Sequence, residues 1–352
     1  MPAARDSLMP YCVPMTTSLP WQRVPWHLRR SYWELEEATR AALRGSLEAE
    51  AADCARRAEA ALDDYAALPD TLGGQLFNAD LLATLLPSLR RNPTQGYEAL
   101  EDAGGRAALH LHALGKRLRD RVLERAQGRP VLILMGGQAT SKTTGAAALG
   151  WSFGAVFDAP HTDPDGLAFL LGRIRRTPSE IHLAYADRDP AGAVKAMLER
   201  SEREGRYVPL DRMARAHARA PRTFLAQTPE TRQGLRLYYI RVDEGTSGSL
   251  AMDRDAVAQV RARPEWLESA VAYQLQTAYL ALLRNPLHDP ESWYPRDVLA
   301  GLNRTLDPWR RLEADHLLRR RVEAMAERSA EGAPGPRGTA ADGAGEPGPG
   351  LG

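Results

Sequence analysis

The residues best suited to chemistry form one short run that begins at Gly136. In a phosphate-binding loop, a glycine-rich turn lets backbone amides face a phosphate group. The lysine that follows the turn reaches the terminal phosphates of a nucleotide, and the hydroxyl of the next residue binds magnesium. Gly136, Lys142 and Thr143 stand at those positions, so the run predicts a phosphate-binding loop for ATP and Mg²⁺. The predicted nucleotide-binding residues are Gly136, Gly137, Gln138, Ala139, Thr140, Ser141, Lys142, Thr143 and Thr144.

One position of this loop departs from the usual pattern, because Ser141 stands where glycine is normal. If the backbone at Ser141 adopts a positive φ, the strain costs about 1–3 kcal/mol. Two interpretations remain open: a loop that binds phosphate, and a degenerate loop that only keeps the fold.

A carboxylate is expected beside the loop. Asp158 ends a predicted strand about one helix and a turn after Thr143. At the carboxyl end of a strand in this fold, a carboxylate can hold a metal-bound water or accept a proton from an attacking hydroxyl. Asp158 is therefore predicted to be catalytic and, together with Thr143, a metal ligand. The nearby Asp163 is predicted to cap a helix instead.

Phosphoryl transfer also requires positive charge over the phosphates. The segment 198–222 is rich in arginine, and its arginines flank Gly205 and Pro209, which favours a mobile lid. Lys142 of the loop and two arginines of this segment, Arg200 and Arg206, are the basic residues predicted to be catalytic. The other arginines are interpreted as a solvated surface.

These residues need a scaffold of strands and helices. Residues 131–135 are continuously apolar, as a strand buried on both faces of a parallel sheet requires. Further strands are predicted at 155–158, 180–186 and 236–242, separated by helix-length segments, which is typical of crossover helices. The predicted fold class is α/β, a P-loop NTPase-like parallel sheet flanked by N- and C-terminal helical regions.

Apolar residues three or four positions apart predict amphipathic helices on both sides of this sheet. Cys54 lies on such an apolar face and is predicted to be a core residue rather than a reactive thiol. Asn78 is predicted to cap a helix N-terminus. The predicted regions are an irregular segment 1–27, a helical region 28–128, a P-loop kinase-like core 129–248, a C-terminal helical region 249–330 and a disordered Gly/Pro-rich tail 331–352.

Charge and composition restrict the class of protein. The chain has 46 Lys and Arg against 45 Asp and Glu, so a dedicated nucleic-acid binder, which usually carries a strongly basic surface, is not expected. Cys12 and Cys54 are too few for a disulfide framework, which favours a reducing, cytoplasmic location. No apolar run approaches the roughly 20 residues that cross a bilayer, so no membrane partner is expected.

The order of several motifs resembles the zeta toxin family of P-loop kinases, in the form found in phage and mobile-element proteins. The resemblance spans roughly residues 72–248. Its motifs are Asn78-Ala79-Asp80-Leu81, the loop from Met135 to Thr144, Val156 to Pro160, Ile181 to Pro190, Gly205-Arg206-Tyr207-Val208-Pro209, His217 and Arg241 to Gly245.

This resemblance implies an ATP- and magnesium-dependent phosphotransferase that acts on a nucleotide sugar or another small hydroxyl acceptor, and it leaves open an antitoxin-like protein partner. Ser141 and the pair Ala159-Pro160, which stands where the family has Gly-Thr, depart from the family pattern. The alternative hypothesis is a catalytically weak or inactive nucleotide-binding scaffold that binds a partner protein through its helical flanks.

Overall fold

A computed structural model describes most of the chain. The described residues are 30–102, 106–126, 128–140, 142, 153–177, 179–227, 234–243, 246–263, 267–284, 294 and 296–331. Three residues of the predicted phosphate loop, Ser141, Thr143 and Thr144, lie outside these ranges, as do the predicted segment 1–27 and residues 332–352 of the predicted tail.

One sheet organises the fold. Its strands are β1 (Leu76–Phe77), β2 (Val131–Gly136), β3 (Ala155–Asp158), β4 (Ile181–Asp187), β5 (Leu235–Asp243) and β6 (Thr246–Met252). Their spatial order is β1-β3-β2-β4-β5-β6. The first five strands in sequence are parallel, and β6 pairs antiparallel with β5. The predicted α/β class and the predicted strands are confirmed.

Two strands of the sheet are not predicted from the sequence. β1 has only two residues, too few to show a hydrophobic pattern. β6 begins with the small and polar residues Thr-Ser-Gly-Ser, which do not resemble a strand interior. Because β1 and the end of β6 fall outside residues 129–248, the sheet extends beyond the predicted core on both sides.

Helices surround the sheet and form the two flanks. Those of the described residues are α1 (Glu37–Arg56), α2 (Ala58–Ala66), α3 (Ala79–Ala83), α4 (Pro87–Arg91), α5 (Pro93–Asp102), α6 (Arg106–Ala126), α7 (Pro164–Ile174), α8 (Pro190–Glu204), α9 (Leu210–Leu225), α10 (Asp253–Arg261), α11 (Glu268–Arg284), α12 (Arg296–Arg304) and α13 (Pro308–Glu331). Helix α13 includes Glu331, the first residue of the predicted disordered tail.

Local sequence signals are confirmed at three of these elements. Asn78 caps α3 by accepting hydrogen bonds from the backbone N–H groups of Asp80 and Leu81, at 2.9 and 3.1 Å. Asp163 caps α7 in the same way. Cys54 is buried on α1, and burial raises the pKa of its thiol, so this residue belongs to the core.

The N-terminal helices and the sheet share one hydrophobic core. Helix α1 packs on α6, and α6 packs on β1 and β3. A single cluster of buried side chains includes Leu47 of α1, Leu114 of α6 and Ile133 of β2. Since each fully buried leucine or isoleucine contributes about 1.5–3 kcal/mol, the predicted helical region 28–128 and the sheet stabilise each other.

The C-terminal helices form a second core with α8 and α9. Helix α11 packs against both of these helices, and its residues Val271, Leu275 and Tyr279 are buried there. Their burial confirms the prediction of an amphipathic helix on the C-terminal side of the sheet.

The arginine-rich segment 198–222 belongs to this second core, and the structure corrects the prediction of a mobile lid. Its apolar residues Leu198, Leu210 and Met213 are fully buried among the C-terminal helices. The connection between α8 and α9 is also tethered, because the Thr94 hydroxyl donates to the Gly205 carbonyl. The apolar residues between the arginines therefore bind this segment to the fold.

A buried carboxylate, Glu98, joins three distant parts of the chain. Its side chain is 3% exposed, and it accepts hydrogen bonds from the Tyr32 backbone N–H at 2.8 Å and the Tyr207 hydroxyl at 2.6 Å. Arg304 of α12 forms an ion pair with it at 2.5 Å, and the Ser31 hydroxyl donates to it at 3.2 Å. Glu98 thus connects the N-terminal flank, the α8–α9 connection and the C-terminal flank.

Candidate functional site

The carboxyl ends of four parallel strands meet at one edge of the sheet. The chain leaves β2 toward β3 on one side, whereas β4 lies on the other side of β2, so the strand order reverses between β2 and β4. Ligands of open α/β sheets bind in the crevice outside such a reversal. Gly136 ends β2, Asp158 ends β3 and Asp187 ends β4, while Asn78 follows β1. The start of the predicted phosphate loop and the predicted catalytic residue Asp158 therefore lie at a favourable edge.

Two glycines begin the turn after β2, and neither has room for a side chain. Gly136 has φ +146°, and a Cβ atom there would clash with the Ala186 carbonyl on β4. A Cβ atom on Gly137 would clash with the imidazole of His217 on α9. The backbone of the turn is therefore closely packed. Ala139, two residues later, has a positive φ of +58°.

Lys142 and Asp158, predicted from separate motifs, are brought together. The Lys142 Nζ lies 3.4 Å from the Gly137 carbonyl oxygen and 3.7 Å from Asp158 Oδ1. Both side chains are 12% exposed. The structure thus places an ammonium group and a carboxylate beside the turn.

Asn78 holds the other oxygen of this carboxylate. Its side-chain amide donates to Asp158 Oδ2 at 3.2 Å, while its own oxygen caps α3. Sequence reasoning predicts the cap but misses the contact with Asp158. One asparagine therefore fixes both the start of α3 and the position of the predicted catalytic carboxylate.

His217 supports the turn from the opposite side. Its Nε2 lies 2.9 Å from the Gln138 carbonyl oxygen. Burial lowers the pKa of His217 to about 4, so the ring is neutral near pH 7. Because a carbonyl oxygen can only accept, the Nε2 atom must carry the proton. The neutral imidazole fixes the turn without adding charge.

Two buried polar atoms near Lys142 have no hydrogen-bond partner among the described residues. They are Gln138 Oε1 and His161 Nε2. His161 follows the strand end of Asp158 and has φ +47°, and burial together with the charge of Lys142 lowers its pKa to about 4. Since an unsatisfied buried polar group costs about 1–3 kcal/mol, each of these two atoms requires a partner beyond the described residues.

Of the two arginines predicted to be catalytic, Arg206 lies nearer the centre of the site. It forms an ion pair with Asp80 of α3, and its guanidinium lies 4.6 Å from the centre of the Tyr97 ring. The pKa of Asp80 is lowered overall. Burial alone would raise it, but the charge of Arg206, its hydrogen bond and the charge of Lys142 outweigh that effect. Arg200 instead pairs with Glu204 on its own helix, at 2.7 Å. The charges of Arg206, Arg200 and Lys142 all lower the pKa of Asp80, so both predicted arginines belong to the same electrostatic neighbourhood as Lys142.

A second carboxylate at this edge, Asp187, is not predicted from the sequence as a site residue. It is buried at the end of β4, where Arg263 lies 2.8 Å from Oδ1 and the Tyr239 hydroxyl donates to Oδ2 at 2.8 Å. Burial raises the pKa of Asp187, although Arg263 opposes the shift. Each oxygen makes a contact of 2.8 Å, shorter than the 3.2 and 3.7 Å contacts of the Asp158 oxygens, so we interpret Asp187 as structural.

Next to the turn lies a cavity of about 440 Å³, which we name the α3–α5 cavity. Gln138 of the turn contributes to its wall, as do Asp80 of α3 and Tyr97 of α5. Its remaining lining residues are Ala83, Leu100, Glu101, Ala108, Leu109, Arg206, Tyr207, Val208, Pro209 and Arg212. Its volume is in the range of small-molecule sites, about 300–1,000 Å³.

The described residues contain no group of three or more His, Cys, Asp or Glu side chains arranged to hold a metal ion. Magnesium usually keeps several waters and needs only one or two protein carboxylates. Asp158 is the predicted magnesium ligand that the structure describes, and Thr143 lies outside the described residues.

No known protein-family model matches this sequence, and no curated protein matches it significantly. Within the described ranges, the helices are all too short or too polar to cross a membrane. The chemistry of the site therefore supplies the basis for a functional proposal.

Proposed function

We propose that the chain is a nucleotide-dependent phosphotransferase of zeta toxin type, which uses ATP and Mg²⁺ to phosphorylate a small hydroxyl acceptor such as a nucleotide sugar. The observation that carries this proposal is the contact of Lys142 with both the Gly137 carbonyl and Asp158, at the point where the strand order reverses. A lysine and a carboxylate beside a glycine turn are the groups that phosphoryl transfer needs.

The residues fit a bound nucleotide. Neither Gly136 nor Gly137 tolerates a Cβ atom, so the protein packs closely around this turn, as a rigid phosphate loop requires. The contacts of Lys142 Nζ, 3.4 and 3.7 Å, are longer than the usual 2.7–3.2 Å hydrogen bond, so the described residues engage its donors only weakly, as a phosphate-binding lysine requires. Gln138 and His161 each have a buried side-chain atom without a partner in the described ranges, and these atoms are compatible with this fit.

Each residue has a role in this proposal. Residues 136–140 and Lys142 bind the phosphates, and Asp158, with the predicted ligand Thr143, holds magnesium. Asp158 also accepts the proton of the acceptor hydroxyl, while Asn78 keeps its carboxylate in place. ATP, when bound, supplies the phosphoryl group. Arg206 provides positive charge beside the acceptor.

The alternative function is a weak or inactive nucleotide-binding scaffold that binds a protein partner. One observation favours it: Trp309 at the start of α13 is 84% exposed, and Leu312 is also exposed on the same helix. Against it, the flanks bury most of their apolar residues within the two cores. Such burial supports a structural role for the flanks.

The test is a comparison of three purified proteins: wild type, Lys142→Ala and Lys116→Ala. Lys116 is exposed on α6, remote in sequence from the loop, so it controls for loss of a surface lysine. At an ATP concentration of about a hundred times Kd, we expect ATP with Mg²⁺ to raise the unfolding free energy of the wild type by about 2.7 kcal/mol. ATP turnover should be lost only in Lys142→Ala.

Equal turnover and equal stabilisation in wild type and Lys142→Ala would refute nucleotide chemistry at this loop. Stabilisation by ATP without turnover would instead support the scaffold.

A further inference from the structure

We infer that His161 is a further ligand-binding residue of the proposed active site, where its imidazole donates a hydrogen bond from Nε2 to the terminal phosphate of a nucleoside triphosphate. The presence of a nucleotide rests on the proposed function. The assignment of this residue rests on its place in the fold, its backbone conformation and the surroundings of its side chain.

His161 lies in the short connection between β3 and α7. Asp158 ends the strand before it, and Asp163 caps the helix after it. The connection leaves the sheet at its carboxyl edge, where Asp158 lies 3.7 Å from Lys142. The fold therefore holds His161 at the edge where the proposed phosphates bind.

The backbone of His161 is in the left-handed region, with φ +47°. Residues that carry a Cβ atom seldom adopt this conformation, and those that do are concentrated at active sites and ligand sites. A glycine would make the same turn without strain. The presence of an imidazole at this position therefore points to a use for the side chain.

The side chain has a buried nitrogen, Nε2, without a hydrogen-bond partner in the part of the chain that the structure describes. Buried polar atoms are normally paired. The imidazole does not serve to hold the neighbouring carboxylate, because the two oxygens of Asp158 contact Lys142 and Asn78 instead. A bound phosphate would supply the partner that Nε2 lacks.

The imidazole is close enough to Lys142 for the ammonium charge to act on it. Burial, together with this charge, lowers the pKa of His161 to about 4, so the ring is neutral near pH 7 and carries one N–H group. A lysine in such a loop reaches the terminal phosphates, and phosphate oxygens are strong acceptors. A phosphate that Lys142 binds can therefore accept a hydrogen bond from His161.

The terminal phosphate is the one on this side of the loop. In the proposed reaction Asp158 accepts the proton of the acceptor hydroxyl, so it must face the hydroxyl that attacks that phosphate. His161 follows Asp158 by three residues at the same edge of the sheet. A contact from this residue should therefore distinguish a triphosphate from a diphosphate.

The test compares the binding of two magnesium nucleotides that differ in the terminal phosphate, namely ADP and the non-hydrolysable triphosphate adenylyl imidodiphosphate. Titration calorimetry gives both Kd values for wild type, His161→Leu, His161→Gln and His182→Leu. Leucine removes the donor, whereas glutamine keeps an N–H group. Both side chains meet the same backbone constraint at residue 161, so their comparison isolates the hydrogen bond.

His182 is the matched control. Its Nε2 is also buried without a partner among the described residues. It pairs with Leu132 near the start of β4, whereas the proposed site lies at the carboxyl ends of the strands. The two leucine variants therefore remove similar imidazoles from opposite ends of the sheet.

We expect His161→Leu to weaken binding of the triphosphate by about tenfold or more, equivalent to about 1.4 kcal/mol, because a hydrogen bond to a charged group is lost. The affinity for ADP should change by less than about threefold. In His161→Gln and His182→Leu, the ratio of the two Kd values should stay within about threefold of the wild-type ratio.

A wild-type ratio in His161→Leu would overturn the inference and leave the proposed function in place, since the partner of Nε2 would then belong to the protein. An equally large loss in His161→Gln would also overturn it, because the donor would not matter. If the wild type bound neither nucleotide, the proposed function and this inference would both be wrong.

Discussion

Asn78 donates a hydrogen bond to Asp158 across the edge of the sheet, joining residues eighty positions apart in sequence, at 3.2 Å. The same asparagine caps α3 through its other side-chain atom. Local stability and the position of the predicted catalytic carboxylate therefore depend on one side chain, and substitutions can separate the two effects.

Asn78→Ser should keep the helix cap and lose the amide that holds Asp158. Since serine and asparagine cap helices about equally well, the free energy of unfolding should change by less than about 1 kcal/mol. ATP turnover should fall by about tenfold or more, because a displaced catalytic group loses its orientation. Urea unfolding and steady-state turnover measure the two quantities.

The comparison variant for this prediction is Asn78→Ala, which removes both functions and should also cost about 1 kcal/mol of stability. If Asn78→Ser turned over ATP as fast as wild type, Asn78 would be a cap only.

Gly137→Ala should destabilise the protein by about 1–3 kcal/mol, because the new methyl group would overlap the buried His217 ring and force it to move. The double variant Gly137→Ala/His217→Ala should recover part of this loss, since the clash disappears with the ring. Chemical denaturation of the four proteins in this double-mutant cycle measures the coupling energy.

Gly172→Ala is the matched control for that cycle. Gly172 lies within α7, and nothing lies within 4 Å of a Cβ atom there, so the substitution should stabilise the helix by up to about 1 kcal/mol. Additive effects of Gly137→Ala and His217→Ala would show that the two residues do not interact.

Stability should decrease as the pH falls below about 6.5. Burial lowers the pKa of His217 and of His161 from 6.5 to about 4 in the folded protein. Between these values the unfolded chain binds more protons than the folded chain, so stability rises with pH across this window and falls on acidification. The loss is on the order of a few kcal/mol at pH 4.

His217→Gln should reduce this dependence on pH. Glutamine has no charge to gain, so the difference in unfolding free energy between pH 7 and pH 5 should be smaller than in wild type. Guanidinium titrations at both pH values provide the measurement, and an unchanged difference would mean that His217 is not protonated on unfolding.

Glu98→Gln should destabilise the protein by about 3–5 kcal/mol, the usual effect of breaking a buried ion pair. Tyr32, Tyr207 and Arg304 all donate hydrogen bonds to Glu98. The NH₂ group of a glutamine would therefore face at least one donor and could not accept its hydrogen bond. Glu124→Gln, at an exposed position on α6, should change stability by less than about 0.5 kcal/mol. Comparable urea midpoints for the two variants would contradict this role of Glu98.

The sequence predicts those features that depend on neighbouring residues. The apolar run of β2, the caps at Asn78 and Asp163 and the stripe through Cys54 are local patterns. Lys142 and Asp158 are found separately, and the parallel order of β2 and β3 brings them together. Strand topology turns two local predictions into one site.

Contacts between distant residues are not predicted. The pairs Asn78–Asp158 and Asp80–Arg206 each join two residues that are far apart in sequence. A repeating sequence pattern does not predict such isolated contacts. The lid prediction fails for a related reason. The arginines of segment 198–222 suggest a solvated surface, whereas the apolar residues between them bury a helix face against α11.

The position of Glu98 determines how the chain can be divided. Its donors come from residues 31 to 304, and a fragment limited to residues 129–248 would lack the carboxylate, β1 and the α6 face that covers β3. We expect such a fragment to fail to fold on its own and to accumulate as insoluble protein. We therefore expect the two flanks and the sheet to unfold together, in a single cooperative transition.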